Sequence, residues 1–66
     1  MIELYHINYC NDTEIITTSI LAHSMDDAAR HANRVLSSSH YSVAYVKRHG
    51  ALLCKVANGR CYPVRY

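Results

Sequence analysis

Arg30 and Arg34 lie one helical turn apart in the stretch SMDDAARHANRVL, Ser24 to Leu36, where an ordinary surface helix would set an acid against each base. Two guanidinium forks on one exposed face, expected here to lack a counter-ion within the chain, suit carboxylates or phosphates of a partner. The rest of the charge points the same way. All five acids, Glu3, Asp12, Glu14, Asp26 and Asp27, precede all seven bases, Arg30, Arg34, Lys47, Arg48, Lys55, Arg60 and Arg65, so a net charge of only +2 conceals a dipolar chain. Six tyrosines add stiff, amphipathic contact area that can also stack on bases. A solvated charged face is the alternative reading of the same layout.

Other chemistries find less support. Cys10, Cys54 and Cys61 are odd in number and lack C-x-x-C spacing, which argues for buried free thiols over a disulfide framework or a zinc site. His6, His23, His31, His40 and His49 are scattered without the spacing of a zinc helix, so neither metal nor cofactor is expected. No nucleophile stands beside a base and an orienting third group, and an enzyme is not expected.

The elements that carry these residues follow from pattern. At 66 residues, half of them hydrophobic, the chain has room for one domain, 1–66, with a thin core, which favours a binding module over a catalytic cleft. Met25, Ala28, Ala29, Ala32, Val35 and Leu36 recur at intervals of three and four and predict an amphipathic helix with Arg30 and Arg34 on its wet side. Ser24 is the expected N-cap, Asp27 the acidic half of a capping box, and the serines at 37–39 the point where the helix fades. The apolar stretch GALLCKVA is interrupted by Lys55 and too short to span a bilayer, and the first residues lack a basic region followed by an apolar run, so a soluble cytosolic protein with no membrane partner is expected.

Strands are predicted over Ile2–Cys10, Glu14–His23, Tyr41–Arg48, Ala51–Ala57 and Arg60–Tyr66. The fold class is therefore α+β, order β-β-α-β-β-β: a curved, mainly antiparallel sheet of about five strands with one helix on one face. Asn58-Gly59 suits a type I′ turn, which would set Ala57 against Arg60, Val56 against Cys61, Lys55 against Tyr62 and Cys54 against Pro63. Leu52, Cys54, Val56 and Cys61 would then pack under the helix, with Lys55, Arg60, Tyr62 and Tyr66 on the opposite face. Pro63 marks the last strand as an edge. For the RHG turn, a two-residue loop sets Lys47 opposite Leu52 and a three-residue loop sets Val46 there, the latter keeping the core drier.

Y-x-I at Tyr5 and Ile7, T-x-I-x-A-x-S-M from Thr18 to Met25, then Ala28, Arg30, Ala32 and Arg34, then HG and NGR with an aromatic at Tyr62, resemble the small type I-F anti-CRISPR proteins of phages and mobile elements, the ninth group described in that series. The resemblance covers nearly the whole chain. It implies the same element order, action in the host bacterial cytoplasm, and binding to the backbone subunits of a multi-subunit CRISPR ribonucleoprotein surveillance complex, so that target DNA cannot hybridise. Some members also promote non-specific DNA binding by the complex. Arg30 matches an arginine of the family's helix, and Arg34 and Arg60 match basic positions. A family lysine falls at Val56, beside Lys55, and an aromatic at Leu52. The expected partner-binding residues are Arg30, Arg34, Lys55, Arg60, Tyr62 and Tyr5. Two other readings stand beside this one: a small module that binds nucleic acid directly through a basic sheet face, and a homo-oligomer paired through an exposed edge strand. Monomer and homodimer are both open.

Overall fold

The computed structural model describes residues 1–65. Its elements are β1 (Glu3–Cys10), β2 (Ile15–Ala22), α1 (Met25–Ser37), β3 (Val43–Arg48), β4 (Ala51–Ala57) and β5 (Arg60–Pro63). The five strands form one antiparallel sheet in the order β2-β1-β3-β4-β5, with α1 on one side, an α+β fold. Strand β1 is central, although it comes first in the chain. Because β2 and β3 both run against it, they run parallel to each other, and α1 must carry the chain back across β1 to start β3.

Alternation sets the two faces. On β1, Tyr5, Ile7 and Tyr9 point under the helix and are buried, while Leu4, His6, Asn8 and Cys10 point the other way. Ala44 and Val46 of β3 and Cys54 and Val56 of β4 continue the buried layer. The helix meets it with Ala28, Ala29 and Ala32, whose short side chains let α1 sit close to the sheet, with Met25, Val35 and Leu36 flanking them. Burying this apolar stripe is what holds a helix of 13 residues that would be marginal alone.

The ends of α1 are set locally. Ser24 Oγ accepts the Asp27 amide at 3.3 Å, as an N-cap should. The reciprocal half of a capping box is absent, because the Asp27 carboxylate turns to Arg30 instead. At the other end, the Ser37 and Ser38 hydroxyls donate to the Arg34 carbonyl, and the helix stops.

Two tight turns join β3, β4 and β5. His49 and Gly50 have φ of 52° and 78°, and Asn58 and Gly59 of 55° and 75°, so both pairs adopt the left-handed backbone of a type I′ turn. The β4–β5 register is the expected one, with Lys55 opposite Tyr62 and Cys54 opposite Pro63, and β5 is an edge. The β3–β4 turn differs from the three-residue alternative: the loop has two residues, Arg48 faces Ala51, and Lys47 faces Leu52. A bulge at Leu53 then restores the drier core, since one extra residue in β4 brings Cys54 opposite Val46. The same bulge turns Leu52 away from the helix, correcting its expected position beneath it.

Candidate functional site

The helix packs chiefly on β3 and β4 and stops short of β5. Cys61 and Pro63 share the helix side of the sheet with Val56 and Cys54 but stay exposed, which corrects the expectation that Cys61 is covered. The uncovered strip leaves a groove of about 350 Å³ lined by Asp26, Arg30, Asn33, Val56, Arg60 and Cys61. A second hollow shares Asn33 and Gly59 and runs on toward Tyr41 at the end of α1. Arg30 and Arg60, distant in sequence, are thus two walls of one groove.

Arg30 carries a counter-ion within the chain. Its Nη2 donates to Asp27 Oδ1 at 2.5 Å across one helical turn, against the expectation that neither helix arginine would be neutralised. The spacing of three was the available signal. Arg34 has no ion-pair partner among the described residues. The helix pair is therefore one engaged and one free guanidinium.

The other side of the sheet carries no element. Its rows follow from the register: Thr17, Asn8, Tyr45, Lys55 and Tyr62 run across all five strands in one line. Lys47 and His6 stand in the next row on one side, and Arg60 in the next row on the other. The Lys55 ammonium is thus flanked by two phenols on strands about 10 Å apart. Tyr62 is exposed and Tyr45 half-buried. Tyr66, expected on this face, lies outside the described residues.

No strand position on this face holds an acid, because the carboxylates are held elsewhere. Glu3 lies on the helix side and pairs with Arg48. Glu14 Oε1 pairs with His40 Nε2 at 2.7 Å beside the β1–β2 loop. Asp26 and Asp27 occupy the first turn of α1. Among the described residues, no ion pair engages Arg34, Lys47, Lys55, Arg60 or Arg65.

Tyr5 belongs elsewhere. It is 3% exposed, with the Arg48 guanidinium 5.9 Å from its ring centroid, so it packs in the core and offers no surface to a partner. This corrects its inclusion among the contact residues, and the apolar alternation of Tyr5, Ile7 and Tyr9 carried the warning. The Tyr9 and Thr18 hydroxyls are buried; burial pushes the Tyr9 phenol up, and the Thr18 hydroxyl opposes that shift. Tyr41 stacks obliquely on His40, ring centroids 4.4 Å apart, and tilts against Tyr9.

The cysteines are free. Cys54 is buried, Cys10 half-buried and Cys61 exposed. Burial, with Cys61 as the second cause, pushes the Cys54 thiol up to about 12, so it stays a neutral core group. No cluster of three or more metal-ligating side chains occurs among the described residues, and no helix there is long and apolar enough to cross a membrane. No family model, curated protein or solved structure matches the chain.

Proposed function

We propose that this protein is an anti-CRISPR that binds the backbone subunits of a type I RNA-guided surveillance complex in the host bacterial cytoplasm and keeps target DNA off by occupying the surface that the DNA needs. The observation that carries the reading is the sorting of charge: among the described residues Arg34, Arg60, Lys55 and Lys47 have no ion-pair partner, while Asp27 and Glu3 are taken up by arginines and Glu14 contacts His40. Basic groups left free on a small rigid body suit a partner that is itself acidic or built to hold phosphates. Arg60 links the two surfaces, lining the helix groove while its strand position faces the uncovered side. The naming of the partner rests on the motif likeness from Thr18 to Tyr62, and the geometry supports its chemistry. No turnover is required.

The test is co-migration with a purified type I-F surveillance complex on size exclusion, together with loss of target-DNA binding by that complex. Arg34→Glu combined with Arg60→Glu is expected to abolish both. Unimpeded DNA binding in the presence of excess wild-type protein refutes the proposal.

A second reading is favoured by the row Tyr45, Lys55, Tyr62: direct binding of single-stranded nucleic acid, with bases on the phenols and phosphates on Lys47, Lys55 and Arg60. It predicts affinity of the isolated protein for a fluorescent oligonucleotide that falls steeply with salt.

A further inference from the structure

The two edges of the sheet are built differently. Strand β5 has four residues, includes Pro63, and carries Arg60, all devices that discourage another strand from adding. Strand β2 has eight residues, IITTSILA, with no charge, proline or glycine, and Ile15, Ile16 and Leu21 on it are exposed. Its inner side pairs with β1 without interruption from Ile15 to Ala22, so its outer backbone is a straight, unprotected ladder.

We infer that β2 is a self-association edge, at which a second copy of this chain adds antiparallel about a twofold axis centred on Thr18. The register follows from the sequence of the strand. For the sheet to continue, residues facing the helix side, Ile16, Thr18, Ile20 and Ala22, must meet their own kind, as must Ile15, Thr17, Ser19 and Leu21 on the other side. Centring on Thr18 sets Ile16 against Ile20, Ile15 against Leu21, Thr17 against Ser19 and Thr18 against itself. From Ile15 to Leu21 every apolar side chain then meets an apolar one and every hydroxyl a hydroxyl, while Ala22 falls opposite Glu14 just outside the strand. Centring one residue earlier sets Ile16 against Thr18 and Ile15 against Ser19. Centring one residue later sets Ile20 against Thr18 and Leu21 against Thr17. Only one register is self-complementary, and Thr18 lies at its centre.

Such an interface is isologous and closed, and a twofold axis normal to the sheet keeps both helices on one side. The two uncovered faces merge into one ten-stranded surface with the basic strands at its outer ends. A single strand-to-strand seam is a small interface, so the association is reversible and concentration-dependent.

Sedimentation velocity over a wide concentration range tests this. The wild-type protein is expected to shift from one chain of 7.5 kDa toward twice that mass as concentration rises. Ile15→Lys alone and Leu21→Glu alone, both at exposed positions that leave the core untouched, are each expected to hold the chain at single mass. An equimolar mixture of the two variants restores the dimer, because this register sets position 15 of one copy against position 21 of the other. A single-chain mass at every concentration overturns the inference. So does a dimer that survives both substitutions, or a mixture that stays monomeric although the wild type dimerises.

Discussion

Asp27 holds Arg30 across one turn of α1 at 2.5 Å, while Arg34, the next arginine on the same face, is left without a carboxylate among the described residues. The pair is largely exposed, with the Arg30 side chain at 73%, so it adds little to stability and can be exchanged for an external anion.

Asp27→Ala therefore releases Arg30 without unfolding the protein. The expected cost is below about 1 kcal/mol, from a lost surface ion pair and a weaker helix N-terminal charge. Affinity for an acidic partner is expected to rise or hold, whereas Arg34→Glu lowers it at least tenfold. Titration calorimetry against the surveillance complex reads both. Equal losses for Asp27→Ala and Arg34→Glu would show that Arg30 works through its internal pair.

The two faces are separable. Arg34→Glu alters the helix side alone, and Lys55→Glu the uncovered side alone, since Lys55 points away from α1 opposite Tyr62. If the surveillance complex is engaged through the helix groove and the hairpin, Arg34→Glu weakens co-migration and Tyr45→Ala does not. If the sheet face stacks nucleic acid, Lys55→Glu and Tyr62→Ala each weaken oligonucleotide binding, the phenol truncation by about 1–3 kcal/mol.

Legibility in the sequence divides along local and non-local lines. Ser24, Asn58-Gly59 and the serines at 37–39 act through their own backbone neighbours, so the helix start, the β4–β5 register and the helix end are all legible in the sequence. The β3–β4 junction is not, because a type I′ turn at His49-Gly50 and a dry Val46–Cys54 contact make opposing demands that only an extra residue at Leu53 reconciles. The centrality of β1 is likewise a matter of which strands find each other in space. Of the candidate site, Arg34, Lys55, Arg60 and Tyr62 reach the surface as expected. Tyr5 is buried because its alternation with Ile7 and Tyr9 puts it on the core face, and Arg30 is neutralised because Asp27, three residues back, lies on the same face of the helix.

Core stability rests on few atoms. Ile7, fully buried at the centre of β1, is expected to cost about 2–5 kcal/mol on Ile7→Ala. A chain this size holds roughly 3–10 kcal/mol in all, so that variant loses most of its cooperative melting transition. Ala32→Leu tests the close helix approach from the other side: overpacking there is expected to cost about 1–3 kcal/mol, while Arg34→Ala leaves the melting temperature nearly unchanged.

Alkaline conditions destabilise the fold through Cys54. Its thiol ionises near 12 in the folded chain against an ordinary 9.0, so the unfolded chain releases its proton first as pH rises. The contribution is complete below about pH 9 and declines from there toward 12, with the raised Tyr9 phenol adding to the fall above 10. Melting curves from pH 8 upward are expected to drop, and Cys54→Ala to flatten the part that starts near 9 while lowering stability throughout. At neutral pH iodoacetamide should label Cys61 and spare Cys54.

The early strand in the middle of the sheet also dictates an order of events during biosynthesis. Tyr5, Ile7 and Tyr9 are made before Ala44, Val46, Cys54 and Val56, so the β1–β2 hairpin must wait with one flank sticky until the three-strand meander behind it has been synthesised. The meander, joined by two-residue turns, has mostly local pairings and can zip early, whereas docking β1 onto β3 must close a long loop through the helix. The β1–β2 hairpin and the carboxy-terminal meander are therefore expected to form separately, with docking of β1 on β3 the late step.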